Sequence, residues 1–205
     1  MMTGTDRTGT DRRGTDAGGT ATAAAQDASG GPVRAPGTGV VLVGPPTAGK
    51  SSVGALLAAQ LGVPFADTDA LVERTAGKPV GEIFVDDGEL VFRELERGAV
   101  ARGLDAVKPD GGVLALGSGA VLDPDVRRMI TGQVIVYLDA GFATVAKRTG
   151  MDRPRVVIPG NPRGRLRAML DERRPVYAEL ATLTMATDDM TPHEVAAGLA
   201  ARLRG

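Results

Sequence analysis

One segment of the sequence carries the residue types that bind phosphate. Residues 44–51 read Gly-Pro-Pro-Thr-Ala-Gly-Lys-Ser and match the pattern G-x-x-x-x-G-K-[ST] at every fixed position. Gly44 and Gly49 permit a backbone path that turns several amide N–H groups toward phosphate oxygens. Lys50 then reaches the β- and γ-phosphates, and the Ser51 hydroxyl is placed for Mg²⁺. This pattern predicts that the chain binds a nucleoside triphosphate through Gly44, Pro45, Pro46, Thr47, Ala48, Gly49, Lys50, Ser51 and Ser52.

Two aspartates, Asp67 and Asp69, follow a short apolar segment at residues 63–65. Ligands of α/β proteins bind at the carboxyl ends of strands, so both carboxylates are expected near the phosphate loop. One of them can hold a metal ion through water while the other accepts a proton from a substrate hydroxyl. Asp69 could instead cap a helix predicted over residues 70–75, and the spacing alone leaves both interpretations open.

Two further segments contain groups that can bind a small substrate. Arg93 and Glu96 are three residues apart on one helix face, a spacing that is most often a solvated ion pair. A neutral glycine-rich turn, residues 117–120, follows an apolar strand at the point where many ATPases carry an acidic residue. The turn therefore indicates backbone amides near a bound substrate. The guanine-binding pattern Asn-Lys-x-Asp is missing from the sequence, which argues against a GTPase.

The elements that must position these residues alternate between short apolar runs and longer amphipathic ones. Continuous apolar strands separated by helices indicate a parallel sheet covered on both faces with right-handed crossovers, so the predicted fold is a three-layer α/β/α fold. The predicted strands are Val40–Val43, Val113–Leu116, Val134–Leu138 and Leu183–Met185. The predicted helices are Lys50–Gln60, Asp69–Thr75, Gly88–Gly103, one beginning at Asp123-Pro124, Gly141–Thr149, Arg165–Leu180 and Pro192–Arg204.

Composition limits the chemistry and divides the 205 residues into two parts. The chain has no cysteine and one histidine, which excludes thiol nucleophiles, cysteine–zinc sites and two-histidine metal sites. A net charge of −1 gives no reason to bind nucleic acid or an anionic membrane. Residues 1–37 contain too few apolar side chains to form a core, so we predict a disordered extension, either without function or a tether, before a folded domain at residues 38–205. Without a signal peptide or an apolar run of about 18 residues, a cytoplasmic protein is expected. We also expect the protein to be a monomer.

Arginine is concentrated in one region of the predicted domain. Residues 148–174 contain eight of the chain's 20 arginines and three acidic residues. Residues 150–164 within it are rich in Gly, Pro and Arg, which is typical of a mobile lid over phosphates. No basic–aromatic interleaving occurs there, which argues against nucleic-acid binding.

In the order and spacing of these motifs, the chain resembles the shikimate kinases, which are small P-loop kinases of the nucleoside-monophosphate-kinase type. The resemblance covers the phosphate loop, Asp67-Thr68-Asp69, the block from Gly88 to Glu96, the turn 117–121 and the segment Arg173-Arg174-Pro175-x-Tyr177. It implies ATP-dependent phosphorylation of the 3-hydroxyl of shikimate, a step toward chorismate and the aromatic amino acids.

The resemblance also implies roles for individual residues. Ser51 and Asp67 would belong to the Mg²⁺ site, and Asp69 would bind shikimate hydroxyls and act as the base. The shikimate carboxylate would be held by Arg93 and Arg173, whose planar forks suit a carboxylate. The ring would be lined by Gly117, Ser118, Gly119, Phe84 and Phe92. Arg148 would pack on adenine beside the loop 187–192, and Arg153 would be the lid arginine, with Arg155 as the competing choice.

Three features differ from the usual family pattern. Thr47 and Ser118 stand where many members have glycine, and Asp188-Asp189 makes the adenine loop more acidic than expected. Two alternative functions remain at this stage: another small-molecule kinase such as a gluconate kinase, and a non-catalytic nucleotide-binding regulator. The presence of Lys50, Ser51, Asp67 and Asp69 argues against the regulator.

Overall fold

The structure, a computed structural model, describes residues 38–108, 111–151 and 161–204. The predicted N-terminal extension, residues 1–37, lies outside the described residues. The central part of the predicted lid, residues 152–160, also lies outside them, and with it both candidate lid arginines, Arg153 and Arg155.

Five parallel strands form one sheet in the order β2-β3-β1-β4-β5. They are β1 (Val40–Val43), β2 (Phe65–Asp67), β3 (Val113–Ala115), β4 (Val134–Asp139) and β5 (Leu183–Ala186). The strand β1 lies at the centre, and Val41 pairs with Leu114 of β3 on one side and with Ile135 of β4 on the other. All four residues of β1 are buried because helices cover both faces of the sheet, which explains its continuous apolar sequence.

The described residues form eight α-helices beside this sheet. They are α1 (Lys50–Leu61), α2 (Thr68–Ala76), α3 (Val80–Asp86), α4 (Gly88–Val107), α5 (Pro124–Met129), α6 (Phe142–Arg148), α7 (Pro162–Leu180) and α8 (Pro192–Arg204). One apolar core lies between the sheet and α1, α6 and α8, and a second lies between the sheet and α4 and α5. A smaller apolar cluster joins α2, α3 and α4. The helix α7 contributes to both cores, through Leu166 and Leu170 to the first and through Tyr177 to the second. The predicted three-layer α/β/α fold is therefore confirmed.

Two strand–helix junctions hold the phosphate loop and the aspartates in place. Gly44 directly follows β1 and has φ 146°. A Cβ atom on Gly44 would lie 2.5 Å from the Leu138 carbonyl oxygen of β4. Gly49 precedes α1 with φ 99°, a conformation that glycine adopts without strain. At the end of β2, Asp67 begins α2 by accepting hydrogen bonds from the N–H groups of Asp69 and Ala70. Both segments are thus fixed at the carboxyl edge of the sheet.

The observed elements differ from the predicted ones mainly around α3. This seven-residue helix was not predicted, because only Ile83 is buried and one buried position gives no helical periodicity. A 3₁₀ turn at Ala120–Leu122 also follows the glycine-rich segment. Among the helices in the described ranges, none has the length and apolar character needed to cross a membrane.

Candidate active site

The phosphate loop connects β1 to α1 and encloses the Lys50 side chain. Lys50 is buried, and its Nζ donates hydrogen bonds to the carbonyl oxygens of Gly44 and Pro45, each at 2.9 Å. Burial lowers the pKa of Lys50 to about 8, although attraction to Asp69 and Asp67 acts in the opposite direction. A phosphate group beside this desolvated ammonium group would therefore stabilise its charge.

A cavity of about 410 Å³ opens in front of this loop, and we call it the phosphate cavity. Its walls combine loop residues with both aspartates: Pro46, Thr47, Gly49, Lys50, Ser51, Ser52, Asp67, Asp69, Leu116 and Ser118. Of the predicted nucleotide-binding residues, Gly44 and Pro45 do not line the cavity but instead accept the hydrogen bonds of Lys50. The structure thus brings the loop and the predicted aspartates together around one space.

Asp67 and Asp69 have different surroundings, which decides between the two interpretations of Asp69. The helix cap is Asp67, whose Oδ1 accepts the Asp69 N–H at 2.9 Å. Asp69 faces the cavity instead, so its interpretation as the cap is wrong. Partial burial, together with repulsion from Asp67, raises the pKa of Asp69 above its ordinary value, and attraction to Lys50 opposes this rise.

The donor atoms near the phosphate cavity fit a hard divalent cation. The exposed Ser51 hydroxyl and the Asp67 carboxylate line the same space, and oxygen is the ligand that Mg²⁺ prefers. Within the described residues, no three His, Asp or Glu side chains are grouped as a metal site. Such a sparse donor set suits Mg²⁺ held mainly by water and substrate phosphates.

A second cavity, of about 260 Å³, adjoins the phosphate loop on its other side, and we call it the base cavity. It is lined by Thr47, Ala48, Gly49, Val53, Arg148, Thr187, Met190, Pro192 and Val195. Arg148 closes one side, because its Nη1 donates to the Thr47 carbonyl oxygen at 3.0 Å and its Nη2 to the Thr187 carbonyl oxygen at 3.1 Å. An apolar slot beside a guanidinium plane can accept a flat aromatic base.

The acidic pair after β5 does not line the base cavity. Asp188 accepts a hydrogen bond from the Gly141 N–H at 2.8 Å, at the start of α6. Hydrogen bonds from the Thr144 side chain and the Gly141 backbone lower the pKa of Asp188. Asp189 is exposed and is not part of the cavity wall. The acidity of this loop is thus partly explained by the contact of Asp188 with α6.

A third cavity, of about 180 Å³, lies on the far side of Asp69, and we call it the acceptor cavity. Its lining contains every predicted substrate residue: Asp69, Phe84, Phe92, Arg93, Gly117, Ser118, Gly119 and Arg173, together with Val80 and Glu96. The rings of Phe84 and Phe92 are 4.3 Å apart and form the apolar wall. The cavity therefore offers one apolar face, two arginines and two carboxylates, those of Asp69 and Glu96.

The two arginines of the acceptor cavity are held in different ways. Arg93 donates to Glu96 at 2.7 Å and to Glu89 at 3.1 Å. The Glu96 side chain is only 3% exposed, so the interpretation of this pair as a solvated face is wrong. Arg173 donates to the Ser118 hydroxyl at 3.3 Å, while its buried Nε has no hydrogen-bond partner among the described residues.

Close packing explains the sequence of the turn at residues 117–119. A Cβ atom on Gly117 would lie 2.7 Å from Asp69 Oδ1, and one on Gly119 would lie 2.9 Å from Arg93 Nη1. The middle residue, Ser118, instead directs its hydroxyl to Arg173. The buried Thr68 hydroxyl accepts the Gly117 N–H at 2.8 Å. The sequence pattern pointed to neither this bond nor the burial of Glu96, because both depend on contacts between distant segments.

The three cavities form a continuous row with shared walls. Thr47 and Gly49 line both the base cavity and the phosphate cavity, and Asp69 and Ser118 line both the phosphate cavity and the acceptor cavity. A nucleotide in the first two cavities would present its terminal phosphate to a molecule in the third. Together, the fold and this site define a P-loop kinase that acts on a small molecule.

Comparison with known proteins specifies the family. The profile of the family described as "Shikimate kinase" matches residues 46–204. The shikimate kinase of Thermobifida fusca is 51% identical over 163 residues, covering 80% of this chain and 93% of that protein, and the one of Salinispora arenicola is 50% identical with 80% and 96% covered. The chain belongs to the shikimate kinase family.

Solved structures agree with this assignment. The structure of Acinetobacter baumannii shikimate kinase in complex with shikimate has a TM-score of 0.70 and 32% identity, covering 79% of this chain and 90% of that one. A gluconokinase from Sinorhizobium meliloti has a TM-score of 0.52 at 20% identity, which reflects the shared fold alone.

Proposed function

We propose that this chain transfers the γ-phosphoryl group of ATP to the 3-hydroxyl of shikimate, giving ADP and shikimate 3-phosphate. The observation that supports this most strongly is the acceptor cavity, which combines Arg93, Arg173 and an aromatic wall with Asp69 at its boundary to the phosphate cavity. Shikimate is a small ring that carries one carboxylate and several hydroxyls, so each of its groups has a matching partner in this cavity.

In this proposal, ATP occupies the two cavities beside the phosphate loop. Adenine packs between Arg148 and the segment from Thr187 to Pro192, and the amides of the phosphate loop bind the phosphates. Lys50 exchanges the carbonyl oxygens of Gly44 and Pro45 for β- and γ-phosphate oxygens. Ser51 and Asp67, the latter through water, would hold Mg²⁺, which neutralises phosphate charge when bound.

Asp69 is the proposed base for the acceptor hydroxyl. It lines both cavities, so its carboxylate can hold the 3-hydroxyl while that oxygen attacks the γ-phosphorus. Its raised pKa makes it a better proton acceptor than an ordinary aspartate. From the family resemblance, Arg153 or Arg155 would stabilise the transferring phosphoryl group. We also propose that the chain acts as a monomer, in the cytoplasm where ATP is supplied.

The most direct test measures ADP release with shikimate, with gluconate and without an acceptor. We expect turnover that requires shikimate, because gluconate has no ring to pack against Phe84 and Phe92. Turnover that is independent of shikimate, or equally fast with gluconate, would contradict the proposal.

The carboxylate-binding role is tested at Arg93 with a matched control on the same helix. Arg93→Lys keeps a cation beside buried Glu96 but loses the planar fork, so the KM for shikimate should rise roughly tenfold or more, with a much smaller change in the KM for ATP. Arg97→Lys alters an ion pair with Asp123 outside the cavity and should change neither constant. If both KM values rise equally in Arg93→Lys, Arg93 has a structural role instead.

A further inference from the structure

Ser118, the middle residue of the turn at residues 117–119, is held by two side chains from one face of α7. Tyr177 is fully buried, and its hydroxyl donates to the Ser118 carbonyl oxygen at 2.5 Å. Arg173, one helical turn earlier, donates to the hydroxyl of the same serine. The helix α7 therefore binds both the backbone carbonyl and the side-chain hydroxyl of Ser118.

The surroundings of Tyr177 leave its hydroxyl little freedom. Its ring packs against Tyr137 of β4, with ring centroids 5.3 Å apart, and both rings belong to the core between the sheet and α4 and α5. Burial raises the pKa of Tyr177 to about 12, so the hydroxyl keeps its proton and remains a donor near neutral pH. The Tyr177 hydroxyl, which donates the hydrogen bond to Ser118, is thus held in place by a ring buried in the core.

The turn is held at two peptide groups, one before Gly117 and one after Ser118. The Gly117 N–H is bound by the Thr68 hydroxyl, and the Ser118 carbonyl is bound by Tyr177. With both bonds present, neither of these two peptide groups can rotate without losing a partner. Rotation would move the Ser118 hydroxyl away from Arg173, whose guanidinium lines the acceptor cavity.

We propose that Tyr177 is a positioning residue for the acceptor: by holding the Ser118 carbonyl, it orients the turn 117–119 and, through the Ser118 hydroxyl, Arg173 toward the substrate carboxylate. Tyr177 does not line the acceptor cavity, so it acts through these two groups. This inference rests on the proposed function. A positioning role of Tyr177 differs from a purely structural one because its loss should weaken binding of the acceptor more than binding of ATP.

The test compares two substitutions that each remove one hydroxyl from the same ring pair. Tyr177→Phe loses the bond to Ser118, whereas Tyr137→Phe loses a 2.7 Å bond to Asp139 outside the three cavities. In Tyr177→Phe, the KM for shikimate should rise roughly three- to tenfold, with a clearly smaller change in the KM for ATP. Tyr137→Phe should leave both constants unchanged, and thermal unfolding of the two variants should be similar.

The possible results separate this inference from the proposed function. If the unmodified chain shows no shikimate-dependent turnover, both are overturned. If it does turn over shikimate, the inference alone fails when Tyr177→Phe leaves the KM for shikimate unchanged or raises both KM values by the same factor. It also fails when Tyr137→Phe reproduces the kinetic effect, because loss of the core contact would then be the cause.

Discussion

Two aspartates separated by a single residue have different tasks. Asp67 uses Oδ1 to cap α2, while Asp69, in the first turn of that helix, lines both the phosphate cavity and the acceptor cavity. The same cap geometry recurs at the start of α5, where Asp123 accepts the Asp125 N–H at 2.8 Å. The proposed role of Asp69 therefore rests on the two cavities that it lines and not on its place in the helix.

Replacing Asp69 with asparagine tests its proposed role as the base. Asp69→Asn should reduce kcat by roughly a hundredfold or more while ATP binding, measured by calorimetry, remains. Because the pKa of Asp69 is raised, kcat/KM of the unmodified chain should fall on acidification at a pH above that of an ordinary aspartate, as the base becomes protonated. The matched control is Asp125→Asn, which should retain full activity. A large loss of ATP affinity in Asp69→Asn would instead favour a metal-binding role.

The backbone at Thr47 is strained. Thr47 has φ 59°, and it is the one non-glycine residue with positive φ among the described residues. The Arg148 guanidinium holds its carbonyl oxygen. A β-branched residue in this conformation is unfavourable by about 1–2 kcal/mol relative to glycine.

At Thr47, a glycine variant should therefore be more stable than an alanine variant, which is the reverse of the usual order in a folded protein. Thr47→Gly should be more stable than Thr47→Ala by about 1 kcal/mol in urea unfolding, because only glycine adopts positive φ freely. At Gly81 we expect alanine to be the more stable residue, because this glycine lies in α3 and a Cβ atom added there would have no neighbour within 4 Å. There Gly81→Ala should stabilise by up to about 1 kcal/mol. Equal stability of the two Thr47 variants would show that the loop relaxes without cost.

At the scale of elements, the site depends on a contact between α2 and the end of β3. Thr68, the first residue of α2, is buried between the two aspartates and accepts the N–H of Gly117. This hydrogen bond joins the helix that carries Asp69 to the turn that lines the acceptor cavity. The two segments are 49 residues apart in the chain, yet they form one wall.

Removing this acceptor should destabilise the domain and weaken acceptor binding. Thr68→Val keeps the side-chain shape but leaves the buried Gly117 N–H without a partner, so unfolding should become easier by about 1–3 kcal/mol. The KM for shikimate should also rise. Thr68→Ser retains the hydroxyl and is the matched control, expected to behave close to the unmodified chain. If Thr68→Ser lost as much stability as Thr68→Val, or if neither variant lost any, the hydrogen bond to Gly117 would not account for the effect.

Local patterns allowed most elements and most site residues to be predicted. The strands β1, β3 and β4 were recognisable because they are buried on both faces and read as continuous apolar runs. The phosphate loop was recognisable because its residues fit one short pattern between a strand and a helix. The short helix α3 was not, since a helix with one buried side chain resembles a loop. The spacing of Arg93 and Glu96 alone predicted an ordinary surface pair, and only the family resemblance gave Arg93 a role in binding the substrate. Their burial depends on the turn at residues 117–119, which no local pattern relates to them.

At the scale of the whole molecule, the walls of the three cavities and the apolar clusters come from many segments of the described chain. Within the described residues, the buried apolar positions begin with Val40 in β1 and end with Leu203 in α8. The predicted N-terminal extension lies outside the described residues. Its composition, poor in apolar side chains, gives no reason to expect a contribution to stability.

Deletion of residues 1–36 should therefore leave the enzyme unchanged. We expect the same kcat, the same KM for both substrates and the same melting temperature as for the full chain, because the core and the cavities remain intact. Steady-state kinetics and calorimetric unfolding provide the measurements. A change of more than about twofold in any constant, or a shift of several degrees in melting temperature, would give the extension a role in the folded domain.

The wall formed by Asp69 and Ser118 has a thermodynamic consequence. Because both residues line the phosphate cavity and the acceptor cavity, a ligand in one cavity changes the environment of the other. Any factor by which the nucleotide alters the affinity for the acceptor must equal the factor by which the acceptor alters the affinity for the nucleotide. A substitution behind this wall, as at Tyr177, can change this factor, and the affinity of each ligand measured with and without the other would reveal the change.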